Sequence, residues 1–117
     1  MIPNLITASG RETMSLIDRI DLLRADLMAP PFLGIEPNVG RTPNQNVHDL
    51  KLTIGWIRNV IALYEQAIAR GQTNESLERG SNRMVSPIEC LVLAWRRGGH
   101  SEYQRVHRLQ KELASAD

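Results

Sequence analysis

The feature that most constrains this chain is an apolar register between residues 43 and 70. Val47, Leu50, Ile54, Ile57, Ile61, Tyr64 and Ile68 follow one another at alternating spacings of three and four. An α-helix brings such positions onto one face. Sustained over three heptads, they form a seam of the coiled-coil type. Pro43 suits the first helical position and Gly71 the closing left-handed one. The predicted helix, 43–70, is about 42 Å long at 1.5 Å per residue. A rod of that length in a chain of 117 residues becomes the axis around which the remainder packs.

Other helix starts are marked by capping boxes. In a box, a Ser or Thr hydroxyl accepts from the amide three residues on, and a Glu or Gln there reaches back to the cap amide. Ser9 with Glu12, Thr42 with Gln45, Ser86 with Glu89 and Ser101 with Gln104 all have this spacing. The first predicted helix covers 10–28, with Leu16, Ile20, Leu23 and Leu27 inward and Asp18, Asp21, Arg24 and Asp26 mostly on the other side. Pro30 and Pro31 stop it. The third, 87–97, is apolar around most of its circumference, which predicts a buried, central position. Gly98-Gly99 ends it, and a fourth helix covers 102–115 with Tyr103, Val106, Leu109 and Leu113 inward. Residues 72–85 read as a connector, with Leu77 marking one helical turn at most. Alternating strand patterns are missing throughout. The expected fold is all-α: one small four-helix domain with one long central helix, expected to be dimeric.

Composition narrows the class of protein. Hydrophobic residues make up 42% and charged residues 23%, values of a folded domain rather than a disordered chain. A net charge of +1 gives no overall field for nucleic acid or an acidic membrane. No apolar run approaches the roughly 20 residues of a membrane span. One cysteine, Cys90, cannot form an internal disulfide, so a reducing cytoplasm is the expected compartment.

Nothing in the sequence assembles a catalytic set. His48, His100 and His107 have no Cys or carboxylate at ligand spacing, and structural zinc takes four ligands. Cys90 lies within the apolar run Ile88–Ala94, where burial raises a thiol's pKa. Phosphate loops, nucleophile elbows and paired zinc histidines are missing. The expectations are therefore no enzyme activity, no metal and no cofactor. A DNA-binding reading rests on the last third: residues 79–117 carry seven Lys or Arg against four Asp or Glu. Two helices around a glycine turn outline a helix-turn-helix, with Arg105, Arg108 and Lys111 on the exposed side. Against it, the first residues of the final helix, Ser101 to Gln104, are not basic.

The long helix carries more apolar surface than one seam. Leu52, Trp56, Val60, Leu63 and Ala67 form a second stripe. With the seam it spans an arc of roughly 200°, against the ~100° of a one-sided amphipathic helix. The seam has the longer register and is assigned to the core. The second stripe is assigned to an intermolecular contact. The segment after the first helix adds Phe32, Leu33, Ile35 and Val39 between prolines, either as a lid over the core or as part of the same contact. Candidate partner-binding residues are thus Phe32, Leu33, Ile35, Leu52, Trp56, Val60 and Leu63. Gly55, Ala62 and Ala69, on a third side, read as helix formers on a surface.

The loop Ala29-Pro30-Pro31-Phe32-Leu33-Gly34-Ile35, the stretch Thr53-Ile54-Gly55-Trp56-Ile57-Arg58-Asn59-Val60-Ile61, the chain length and the single cysteine together resemble the QslA-type anti-activators of quorum sensing, a family of small bacterial proteins. The likeness runs over essentially the whole chain. It implies a helical homodimer without enzymatic activity that binds the ligand-binding domain of a LuxR-type transcription regulator such as LasR. There it would occupy the surface the regulator uses to dimerise. A regulator without its dimer partner reads a two-fold operator poorly, so the implied inhibitor needs no direct contact with nucleic acid. The family offers no residue-by-residue assignment of the interface, which rests here on the stripes. The alternatives are the helix-turn-helix regulator and another small inhibitory protein, such as a phage-type antidefence factor.

Overall fold

The computed structural model describes residues 9–36 and 43–115. Its elements are α1 (Leu16–Leu27), α2 (Gln45–Ala69), α3 (Asn74–Glu78), α4 (Ser81–Met84) and α5 (Ser86–Ala114), with no strand among the described residues. The fold is all-α.

The middle of the seam, from Leu50 to Ile61, is the buried face of α2, while Ile68 at its end is 37% exposed. Ile54 and Ile57 are sealed completely, and Leu50 and Ile61 nearly so. Leu16, Ile20 and Leu23 of α1 pack into the same core, as do Leu91, Val92 and Trp95 of α5. Asn44 caps α2, its Oδ1 accepting from the Val47 amide at 3.2 Å. Thr42, the predicted cap, lies outside the described residues. Gln45 donates instead to the Asp49 side chain at 2.9 Å. The far end closes as expected: Gly71 has φ +92°. The Gln72 and Gly71 amides donate back to Ala67 and Ile68, the paired bonds of a Schellman motif.

The start of the first helix and the connector depart from expectation. Half of the Ser9–Glu12 box forms: the Ser9 and Gly10 amides donate to the Glu12 carboxylate at 2.7 and 3.0 Å, but Ser9 Oγ accepts from the Arg11 amide, two residues on. It closes only a turn, because Gly10 sits at φ +85°, which no right-handed helix contains. α1 begins at Leu16, capped by Ser15, and the Leu16 amide is taken by Glu78 at 2.9 Å. The connector holds two short helices, α3 and α4, rather than one turn. The two last predicted helices are both present, in succession along α5 on either side of a kink at Gly99 (φ 67°, ψ −152°), where the diglycine was expected to interrupt the chain. Ser101 thus lies inside the second arm and not at a cap.

The Ser86–Glu89 pair is also used differently. Both side chains are bonded to Arg19 of α1: Arg19 Nε donates to Glu89 at 3.1 Å and Nη2 to Ser86 Oγ at 2.9 Å. Asn82 accepts from Nη1 at 2.8 Å. Arg19 and Glu89 are each about 1% exposed. Asp26, read as outward-facing, is buried too, accepting from Arg11 and Arg96 at 2.9 Å each. These ion pairs fix α1 against α5.

Candidate functional site

The seven candidate contact residues do not share one surface. Phe32 is 1% exposed and packs edge-on against Trp95, its ring centre 6.5 Å away. Val60 is 6% exposed. Both belong to the core, which corrects their assignment to a contact. Val60 sits at the inner edge of the second stripe, next to the seam, in one core cluster with Leu16 and Ile20 of α1. Phe32 turns inward because the segment after α1 folds back: the Phe32 and Leu33 amides both donate to Ala29. The lid reading therefore holds for Phe32, while Val39 lies outside the described residues.

Leu33 and Ile35 line a cleft of 410 Å³ with Met28, Ile54, Arg58 and Glu65. On the α2 wheel this cleft faces about 145° away from Leu52 and Leu63. The loop and the stripe are thus opposite sides of the long helix. On the stripe itself, Leu52 is 38% and Leu63 40% exposed. Trp56 between them is half-buried against the core. Leu63 also edges a second, mainly apolar groove of 230 Å³ with Leu77 and Met84, and Met84 is 51% exposed.

What covers Trp56 was not foreseen. His107, on the second arm of α5, lies against its ring, centres 5.5 Å apart. His107 stacks in turn on Tyr103 at 5.3 Å, and Tyr103 on Trp95 at 4.9 Å. Four of the chain's five aromatic residues therefore stand in one column from Phe32 in the core to Trp56 at the rim. Its signal in the sequence was the spacing of His100, Tyr103 and His107 at three and four, which puts them on one helix face. Asp49 of α2 anchors the column, accepting from His100 Nε2 at 2.6 Å. Trp95 Nε1 donates to Thr53 Oγ1 at 3.0 Å.

Burial, aided by the Asp49 charge, pushes the Tyr103 hydroxyl up to about 12. A side-chain hydrogen bond with Thr53 pulls the other way. Burial and the Lys111 charge hold His107 below its ordinary value, against the opposing pull of Asp49. Cys90 is buried. Burial, with the Glu12 and Glu89 charges, pushes its thiol up to about 12 against the influence of Arg19. Among the described residues no three His, Cys, Asp or Glu side chains come together to hold a metal ion. No described helix is long and apolar enough to cross a membrane.

Comparison with protein-family models, with curated proteins and with solved structures finds no match to the chain.

Proposed function

We propose that this chain is a non-enzymatic protein–protein interaction module: an anti-activator, active in the cytoplasm as a homodimer, that occupies the dimerisation surface of the ligand-binding domain of a LuxR-type regulator. The observation that carries this reading is the outer stripe of α2. Leu52 and Leu63 stand more than a third exposed on one face of a rigid helix. Beside Leu63 lies an apolar groove with Met84 half out of it. Apolar groups gathered around a groove are the usual ground for a partner. The overlap with the QslA-type pattern along Thr53–Ile61 supplies the kind of partner.

Two features weigh against the DNA-binding alternative. Arg105 is held by Glu102, with contacts of 2.6 and 2.9 Å. The break at Gly99 is one residue, where a helix-turn-helix uses a turn of about three or four.

The test is to mix the purified chain with a full-length LuxR-type regulator and follow mass in solution and operator binding. The expected result is a mixed complex, loss of the regulator dimer and loss of operator binding, all reversed by Leu63→Asp. A regulator that stays dimeric and operator-bound in excess of this chain overturns the proposal. Binding of duplex DNA by the chain alone, falling steeply with salt, would transfer the function to the alternative.

A further inference from the structure

We propose that the cleft between the first turns of α2 and the second arm of α5 binds a phosphate monoester, held by Arg108, Lys111 and His107. The cleft has a volume of 370 Å³, within the range of small-molecule sites. Its walls carry His48, His107, Arg108 and Lys111 against a single acid, Asp49. That acid is already engaged, accepting from Gln45 at 2.9 Å and from His100 at 2.6 Å.

The cations facing it are not engaged. Arg105, three residues before Arg108 on the same arm, is neutralised by Glu102. Arg11, Arg19, Arg24 and Arg96 also have carboxylate partners. Among the described residues neither Arg108 nor Lys111 has one. They are spaced by three, so both reach the same side of the arm. The opening turn of α2 carries no acidic residue, and Asp49, the first acid along the helix, is bonded to His100 and Gln45, so the positive end of that helix faces the other wall.

Two further observations come from groups lining the cleft. Tyr103 contributes its ring to the floor. His107 is held towards its neutral form by burial and by Lys111; an anion between them reverses the second influence. The choice of phosphate follows from the donors. A guanidinium offers a planar fork and an ammonium a point charge, and a phosphate monoester carries close to two negative charges at neutral pH. The inference is independent of the proposed protein partner.

The experiment is proton NMR titration of the histidine rings of the full chain in inorganic phosphate, with chloride at matched ionic strength as reference. The expected result is a saturable shift of the His107 ring signals and a rise in its pKa of about one unit, as a nearby opposite charge produces. Arg108→Gln with Lys111→Gln, both at exposed positions, should remove the effect with the helical circular dichroism intact. Arg58→Ala, on the loop side of α2, should leave it unchanged. Glycerol 3-phosphate and phosphatidic acid vesicles then separate the sources: saturation by the free ester assigns a soluble ligand, retention on vesicles a lipid headgroup. An identical His107 titration in phosphate and chloride overturns the proposal. So does a folded double variant that responds like the parent, or an Arg58→Ala chain that loses the response.

Discussion

Arg19 shows how far one residue can depart from what its neighbours in sequence suggest. A guanidinium has five donors, and here they meet Glu89, Ser81, Asn82 and Ser86. Locally, Ser86 and Glu89 read as a capping box, because spacing reports what a helix start can do with its own side chains. It does not report that a cation 70 residues away competes for the same carboxylate and wins by charge. Removing one member leaves the other charge buried and alone. Arg19→Met should therefore cost about 3–5 kcal/mol, read from the urea midpoint. Arg19→Met with Glu89→Leu should recover much of that loss. A single variant as stable as the parent would show that the pair contributes nothing.

His107 gives the residue scale a pH signature. Its folded pKa is depressed from the ordinary 6.5, so below that value the unfolded chain takes up the proton more readily than the folded one. Stability linked to His107 is then fully present above about pH 6.5 and lost as pH falls through the folded pKa. His107→Gln should flatten the dependence of the urea midpoint on pH between 7 and 5. An unchanged slope would remove His107 from the acid response.

Among the elements, α2 was the most legible and α5 the least, for one physical reason. A heptad register repeats its information seven times between Val47 and Ile68, so a local error cannot move the helix. A boundary depends on one or two backbone angles. Gly10 at φ +85° keeps a helix from starting there, and the extended Ser15 (ψ 153°) sets the start of α1 at Leu16; no spacing of side chains reveals those angles. Gly98-Gly99 was rightly read as an interruption, but the chain resumes its helix at once. Gly99 supplies an angle pair (φ 67°, ψ −152°) that is essentially confined to glycine. Gly98 is needed for space, since a Cβ there would stand 2.7 Å from Glu102 Cβ. Gly99→Ala should cost about 1–3 kcal/mol through backbone strain, measured as a lower melting temperature. Gly98→Ala should also destabilise, through contact with Glu102. If Gly99→Ala melts with the parent, the break is not a required angle.

At the scale of the whole molecule, the question is which sides of α2 the chain covers for itself. Its pattern showed that there were two stripes and that the middle of the seam was core, but Val60 and Ala67 of the second stripe are buried as well and Ile68 of the seam is exposed. It could not show that Val60 would join one core cluster with α1, or that His107 would come down on Trp56, since both depend on how other helices cross. Trp56 is consequently a poor reporter: truncating it would open a gap beneath His107 as well as remove any outer contact. The face assignment is better tested with Ile57 and Leu63. Ile57 is fully buried and Leu63 is 40% exposed. Ile57→Ala should lose about 2–5 kcal/mol of stability as a core cavity, with little direct effect on assembly wherever the chain remains folded. Leu63→Ala should melt close to the parent yet weaken self-association, followed by sedimentation at micromolar concentration. A closed two-fold dimer places the same residue of both copies in the contact, so one substitution acts twice. If Leu63→Ala sediments and melts like the parent, the outer stripe is ordinary exposed surface, and the 410 Å³ cleft beside Leu33 on the opposite side of the helix becomes the place to seek the partner.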